Sequence, residues 1–371
     1  MKQRLALLLV AGLMLGSGLV MLAQGPRKES SETVARPRKK DAPEPEAAKI
    51  ESKLKKKELP QDLPTFRSDV ATVNVDVAVL DNKGRFIPNI PRQTFRILED
   101  GVPQQITNFS QGEAPMTVCM VIEFSNLFQQ YWSYGWMETL QASYGFLETL
   151  KPEDYVAVVA YDLRPEILSD FSTDKRKAYE AMARLRIAAF SESNMYDALV
   201  DTAERMSEIE GRKAIIFIGS GIDTFSKLTF DKARKALQAA GVPIYGIGTL
   251  QALREWYDAR GMMGGIQRLD FLQADNQVRT FAKETGGQSF FPRFFGEYPN
   301  IFQQIHQNLR QQYSLGYQPT NTARDGTFRK LKVDLVNPAT GEPLRIVDEK
   351  GKPMKYTIIA KAGYTAPRAV E

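Results

Sequence analysis

The chain has 371 residues, 49 Lys/Arg against 44 Asp/Glu, 43% hydrophobic residues and one cysteine. At roughly 150 residues per domain this length accommodates about two domains with a sizeable core, and the lone Cys119 excludes an intramolecular disulfide. The formal charge of +5 does not mark a nucleic-acid binder: residues 26–59 hold eleven Lys/Arg against seven Asp/Glu, Lys2 and Arg4 add two more positive charges, and the remainder is close to neutral.

In chain order, Lys2 and Arg4 precede residues 5–23, a charge-free apolar run of 19 residues. A basic start followed by an apolar run is the pattern of a secretory signal, and the run is long enough to span a bilayer. Residues 1–24 are therefore expected to be a signal peptide or an N-terminal anchor. The expectation is an exported chain, periplasmic or secreted, with residues 5–23 as a route to membrane association. Residues 25–62 are rich in Lys, Glu and Pro and poor in aromatics, which predicts a disordered charged linker.

Residues 63–112 change character. Val73, Val75, Val77 and Val79 alternate with Asn74, Asp76 and Ala78, the period of a strand. Turn signals follow at Asp81-Asn82-Lys83-Gly84 and Glu99-Asp100-Gly101. From Met116 to residue 312, apolar strands (MTVCMVIEF, YVAVVAYD, KAIIFIGSG, VPIYGIG) alternate with helical segments, with Asp174 placed to cap one helix and Gly241 to end another. This alternation predicts an α/β domain over 113–312, a doubly wound, mostly parallel sheet covered on both faces. Residues 313–371 return to strands (YSLGYQP, FRKLKVDLV, KYTIIAKAGY). The economical expectation is a small β-sandwich whose halves, 63–112 and 313–371, flank the α/β domain.

Ligands of doubly wound sheets bind beyond the carboxyl ends of the strands. Three such ends are EFSNL at 123–127, the loop SNMYDAL at 193–199, and IGSGIDT at 218–224. The element order, SNMYDAL and GRKAIIFIGSGIDT resemble a von Willebrand factor A domain. The flanks, VAVLDNKGRFIPNIPRQTFRILEDGVPQQITNF and LRQQYSLGYQP with DGTFRKLKV and AKAGYTAP, resemble the related proteins of Acidobacteria. That resemblance implies a metal-ion-dependent adhesion site: Asp-x-Ser-x-Ser on the first loop, Thr on the second and Asp on the third, holding Mg²⁺ with one position open to an acidic partner. This chain departs from the pattern. Glu123 stands for the Asp, Ser125 matches, Leu127 replaces the second Ser, Ser193 replaces the Thr, and Ser220 replaces the third-loop Asp. Magnesium gives up its water reluctantly and demands near-octahedral oxygen ligands, so no tightly bound metal is expected. The alternative is Mg²⁺ on Glu123, Ser125 and Ser193, with Asp197 or Asp223 as a substitute ligand.

Other chemistry is sparse. His306 is the single histidine, and no glycine-rich phosphate loop develops at 219–221 or 246–248. No catalytic residue is assigned and no cofactor is expected. Partner binding is placed on the aromatics Tyr131, Trp132 and Trp136, of which Trp132 and Trp136 have the alternative of forming the buried face of a helix, and on an inserted Gly/Met-rich loop over 250–272 carrying Arg254, Trp256, Tyr257, Met262 and Met263. The functional expectation is a non-enzymatic module that binds a protein partner without metal. A divergent metal-dependent adhesion protein and a hydrolase are the alternatives.

Overall fold

The computed structural model describes residues 72–126, 132–185, 190–249, 251–262, 264–347 and 351–368. Residues 1–24 and 25–62, expected to be a signal or anchor and a charged linker, lie outside the described residues. Among the described residues, no helix is long and apolar enough to cross a membrane.

The chain enters through four strands, β1 (Val73–Asp81), β2 (Phe95–Glu99), β3 (Val102–Gln104) and β4 (Ile106–Gln111). The β2–β3 turn holds Asp100 and Gly101 at φ 48° and 86°, the left-handed conformation of a tight hairpin turn. The α/β part follows: β5 (Met116–Glu123), α1 (Trp132–Glu148), β6 (Tyr155–Tyr161), β7 (Pro165–Ser172), α2 (Lys175–Ala183) and α3 (Met195–Ser207). It continues with β8 (Arg212–Gly219), α4 (Phe230–Ala240), β9 (Ile244–Gly248), α5 (Gln251–Ala259), α6 (Gly265–Thr285), β10 (Ser289–Phe290) and α7 (Tyr298–Arg310). Six further strands close the chain: β11 (Tyr313–Tyr317), β12 (Phe328–Leu335), β13 (Ile346–Val347), β14 (Pro353–Met354), β15 (Tyr356–Ala360) and β16 (Gly363–Thr365).

The central sheet has six strands in the order β10-β9-β8-β5-β6-β7. Every neighbouring pair is parallel except β6–β7. Alternation along β5 explains why helices cover both faces. Val118, Met120 and Ile122 join a core with α1, α2 and α7, while Cys119 and Val121 join a second core with α3, α4 and α6. Cys119 is an inert core residue, its thiol pushed up to about 12 by burial. Asp174 caps α2 by accepting the Arg176 N–H, and Gly241 ends α4 at φ 63°. Strand order reverses between β8 and β5, so their carboxyl ends flank the crevice where doubly wound sheets bind ligands.

Strands from both ends of the chain build two antiparallel sheets, β15-β1-β11-β4 and β16-β12-β2-β3. Val75, Val77 and Leu315 of the first sheet and Ile97, Val333 and Leu335 of the second enter one hydrophobic cluster. Buried Glu99 of β2 accepts hydrogen bonds from Tyr317 of β11 and Tyr364 of β16, tying the sheets together.

The structure corrects the expected loop over 250–272. The segment is helical, formed by α5 and the first turns of α6. Arg254 on α5 pairs with Asp275 on α6 at 2.8 Å and sits over the Phe271 ring. Glycines in the connecting turn obscure the helical period in the sequence.

Candidate functional site

Glu123 ends β5, and the chain turns sharply after it. Phe124 N–H returns to the Tyr161 carbonyl at the end of β6, and Asn126 N–H bonds to the Phe190 carbonyl. Glu123 is buried and both carboxyl oxygens are occupied: Ser125 Oγ donates to Oε1 at 2.7 Å and Ser220 N–H donates to Oε2 at 2.5 Å. Burial pushes its carboxyl above the usual range, opposed by these bonds. The neighbouring Tyr161 hydroxyl is pushed up by burial and then by the Glu123 charge.

Gly219 explains how the longer acid fits. A Cβ there would lie 2.7 Å from Glu123 Oε2, 2.8 Å from Glu123 Cβ and 3.0 Å from Tyr161 Oη. Real side chains do not tolerate such contacts. Glycine at 219 thus leaves the space that the Glu123 side chain occupies.

The remaining donors also turn inward. Fully buried Ser193 donates its hydroxyl to the Ile222 carbonyl at 2.7 Å, and its N–H bonds to Thr224 Oγ1. Ser220 Oγ accepts the Ile222 N–H at 3.2 Å. Asp223 accepts the Tyr196 N–H at 3.1 Å and the Ser226 hydroxyl at 2.5 Å, holding the third loop against the start of α3. Burial is the first cause of its raised carboxyl pKa. Asp197 accepts the N–H groups of Lys227 and Leu228. Asp197 is therefore a loop anchor, and its two oxygens are committed away from Glu123.

The structure thus brings Glu123, Ser125, Ser193, Ser220 and Asp223 to one sheet edge, with their oxygens satisfied by one another and by backbone. The donor set offers one buried carboxylate and three serine hydroxyls, with the Asp223 carboxylate turned to the Tyr196 N–H and Ser226, a poor match to the octahedral oxygen shell of Mg²⁺. Among the described residues, no group of three or more His, Cys, Asp or Glu is placed to hold a metal ion. Leu127, Tyr131 and Met263 lie outside the described residues, as does the side chain of Trp132.

The aromatic and insert residues divide by burial. Trp136 is a core residue rather than an exposed contact, edge-on to Phe124 at 4.7 Å, because that face of α1 covers the sheet. Arg254 is likewise buried against Asp275. Trp256 and Met262 are exposed by 43% and 55%, joined on α6 by Leu269 and Leu272 at 67% and 52%. The Arg260 guanidinium covers one face of Trp256 at 4.0 Å, and Tyr257 packs edge-on to it. Beside this hairpin is a cavity of about 360 Å³ lined by Asp223, Thr224, Asp270, Gln273 and Gln277.

Tyr161, Gly219, Ser226 and Asp270 are the site residues that sequence reasoning missed. A tyrosine ending the strand beside the first loop was the available signal for Tyr161. The role of Gly219 follows from a distance that no spacing encodes.

No family model matches the sequence, and no curated protein matches it. Among solved structures, the chain is similar to proteins that include two described as von Willebrand type A. The chain is similar to the vWF domain of the type V pili tip protein Mfa5 from Porphyromonas gingivalis, with 14% identity, 54% of this chain and 97% of that chain covered and a TM-score of 0.41. It is similar to an aerotolerance-related membrane protein from Bacteroides fragilis, with 14% identity, 52% and 98% covered and a TM-score of 0.37. For a von Willebrand factor type A protein from Catenulispora acidiphila, the values are 12% identity, 81% and 76% covered and a TM-score of 0.39.

Proposed function

We propose that this chain is an exported, non-enzymatic protein-interaction module built on a von Willebrand A-like domain of the Acidobacteria type, binding its partner without a bridging metal. The two antiparallel sheets are read as one β-sandwich that carries the α/β domain. The observation that carries the functional reading is the apolar set on the α5–α6 hairpin, where Trp256, Met262, Leu269 and Leu272 stand in solvent beside the Asp223 loop. Exposed aromatic and aliphatic anchors at a ligand-binding edge suit a protein partner. One buried carboxylate, Glu123, already bonded to Ser125 and Ser220, with serine hydroxyls around it, is a weak ligand set for a divalent ion, which supports the metal-independent reading.

The test compares wild type with a Trp256→Ser, Leu269→Ser, Leu272→Ser variant by proximity labelling in the native cell envelope. Partners lost specifically in the variant support the reading, and an unchanged set of labelled proteins overturns it. Melting with millimolar Mg²⁺ tests the metal-independent half. An ion at a hundred times its Kd would add about 2.7 kcal/mol, whereas no shift is expected.

A further inference from the structure

A second groove lies away from this edge, where the two antiparallel sheets diverge. β15 and β16 are consecutive pieces of one strand: β15 pairs with β1 in the first sheet, β16 with β12 in the second. Leu331 N–H still reaches the Ala362 carbonyl at 2.8 Å. Beyond that bond, β12 and β15 separate.

The bonding phase shows which backbone groups face the gap. The Lys330 carbonyl accepts the Asp100 N–H, and Val336 N–H donates to Thr94, so even-numbered residues of β12 bond toward β2. Odd-numbered residues face the other way. Leu331 bonds to Ala362 and Leu335 to Leu344, while Val333 between them faces the groove. In β1, Val79 and Asp81 bond to Ile87 and Arg85, which leaves Ala78 and Leu80 to bond with Ile359 and Thr357 of β15. Tyr356 and Ile358 therefore turn their N–H and C=O groups outward. Among the described residues, no strand pairs with this edge of β15.

The gap is roomy and basic. A cavity of about 770 Å³ lies between the end of α6 and the two strands, its lining including Arg279, Lys283, Lys332 and Lys361. A second cavity of about 430 Å³ extends it past Val333 and Ile358 to Arg96 and Pro343. The two carboxylates along the way are already engaged: Glu284 pairs with Arg234 at 2.9 Å, and Asp334 pairs with Arg96 and Lys332 at 3.1 Å. Among the described residues, Lys283 and Lys361 form no ion pair, and the Asp76 carboxylate acts on Lys361 only through space.

We propose that this groove binds an extended acidic peptide segment of a partner protein, added as a strand to the free edge of β15. Backbone pairing to Tyr356 and Ile358 supplies affinity, apolar side chains of the peptide meet Val333 and Ile358, and its carboxylates meet Lys283, Lys332 and Lys361.

The experiment uses the full chain and a fluorescent peptide of alternating Glu and Val, read by anisotropy. The expected result is binding that weakens about tenfold or more in a Lys283→Glu, Lys332→Glu variant and is abolished by N-methylation of alternate peptide amides. Ile358→Pro, which removes one edge N–H, should weaken binding while the variant retains a cooperative melt; the charge variant and the methylated peptide carry the test if Ile358→Pro does not fold. Absence of binding overturns the proposal, as does equal binding of a Lys-Val peptide or of the methylated peptide. A dimer in sedimentation that Ile358→Pro dissolves also overturns it, because the edge would then serve a second copy. None of these changes touches Trp256, Leu269 or Leu272, so failure here is distinct from failure of the hairpin reading.

Discussion

The two ends of the parallel sheet treat buried charge in opposite ways. At the carboxyl end, Glu123 is held by a serine hydroxyl and a backbone N–H with no cation beside it. At the amino end, buried Asp154 accepts the N–H groups of Met116 and Lys151 and pairs with the equally buried Arg310 guanidinium. Arg310 Nε in turn donates to His306 Nε2 at 2.5 Å. Lys175 Nζ bonds to the Asp154 carbonyl, and Arg212 reaches the Arg310 carbonyl. A full ion pair thus stands where α7 leads into β11. Neutral donors alone hold the carboxylate at the opposite end. The amino end fastens α7 to the starts of β5 and β6 through a buried ion pair, while the carboxyl end holds its carboxylate by hydrogen bonds.

The comparison breaks most visibly at Asp154. Asp154→Ala leaves Arg310 buried without its partner and two backbone N–H groups unpaired, so a loss of about 3–5 kcal/mol is expected in urea unfolding. At the other end, Gly219→Ala drives a methyl group into Glu123 and Tyr161, with an expected loss of about 1–3 kcal/mol. The sharper measurement is a double-mutant cycle. Adding Glu123→Ser to Gly219→Ala should cost less than the sum of the single changes, because shortening the acid vacates the space the methyl needs. Strict additivity would show that Gly219 is not coupled to Glu123.

Legibility in the sequence followed the same division. Period-two valines gave β1, Asp100-Gly101 gave the hairpin turn, and Asp174 and Gly241 gave helix ends, because each is a local rule acting over a few residues. The positions of Glu123, Ser193 and Ser220 at one edge could be read because strand ends mark the crevice of a doubly wound sheet. Their hydrogen-bond partners could not. Whether Ser193 faces a ligand or the Ile222 carbonyl is decided by loops about 30 residues apart in sequence. The α5–α6 hairpin is hard to read from sequence because Gly264 and Gly265 interrupt its pattern and Leu269 and Leu272 of α6 face solvent, weakening the amphipathic signal of that helix. Asp154 carried no motif, and its importance comes from burial beside a residue 156 positions away.

A smaller expected effect is Glu123→Gln. The amide retains one acceptor but turns its NH₂ toward one of the two donors that converge here, so the loss of one hydrogen bond, about 1 kcal/mol at neutral pH, is expected in thermal unfolding.

Acid should separate the two ends by sign. Burial raises the folded-state carboxyl of Glu123 from 4.5 and that of Asp223 from 3.8. Between those unfolded values and the raised folded ones, the native state binds more protons, so these groups favour folding as pH falls. His306 is lowered from 6.5, first by burial and then by Arg310; Asp154 and Glu113 oppose the shift, and Lys151 adds to it. Its unfolded form binds the proton more readily, so the stability it contributes is present above 6.5 and is lost as pH falls through that value toward its lower folded pKa. Protonation also removes the lone pair that accepts from Arg310 Nε. His306→Gln keeps an acceptor there and does not titrate, so its stability relative to wild type should rise as pH falls through this window. Glu123→Gln should show the reverse, losing further ground to wild type on acidification. Parallel unfolding curves for both variants and wild type from neutral pH to about 5 read the two slopes directly, and equal slopes in all three would show that the ends of the sheet do not differ in how they hold protons.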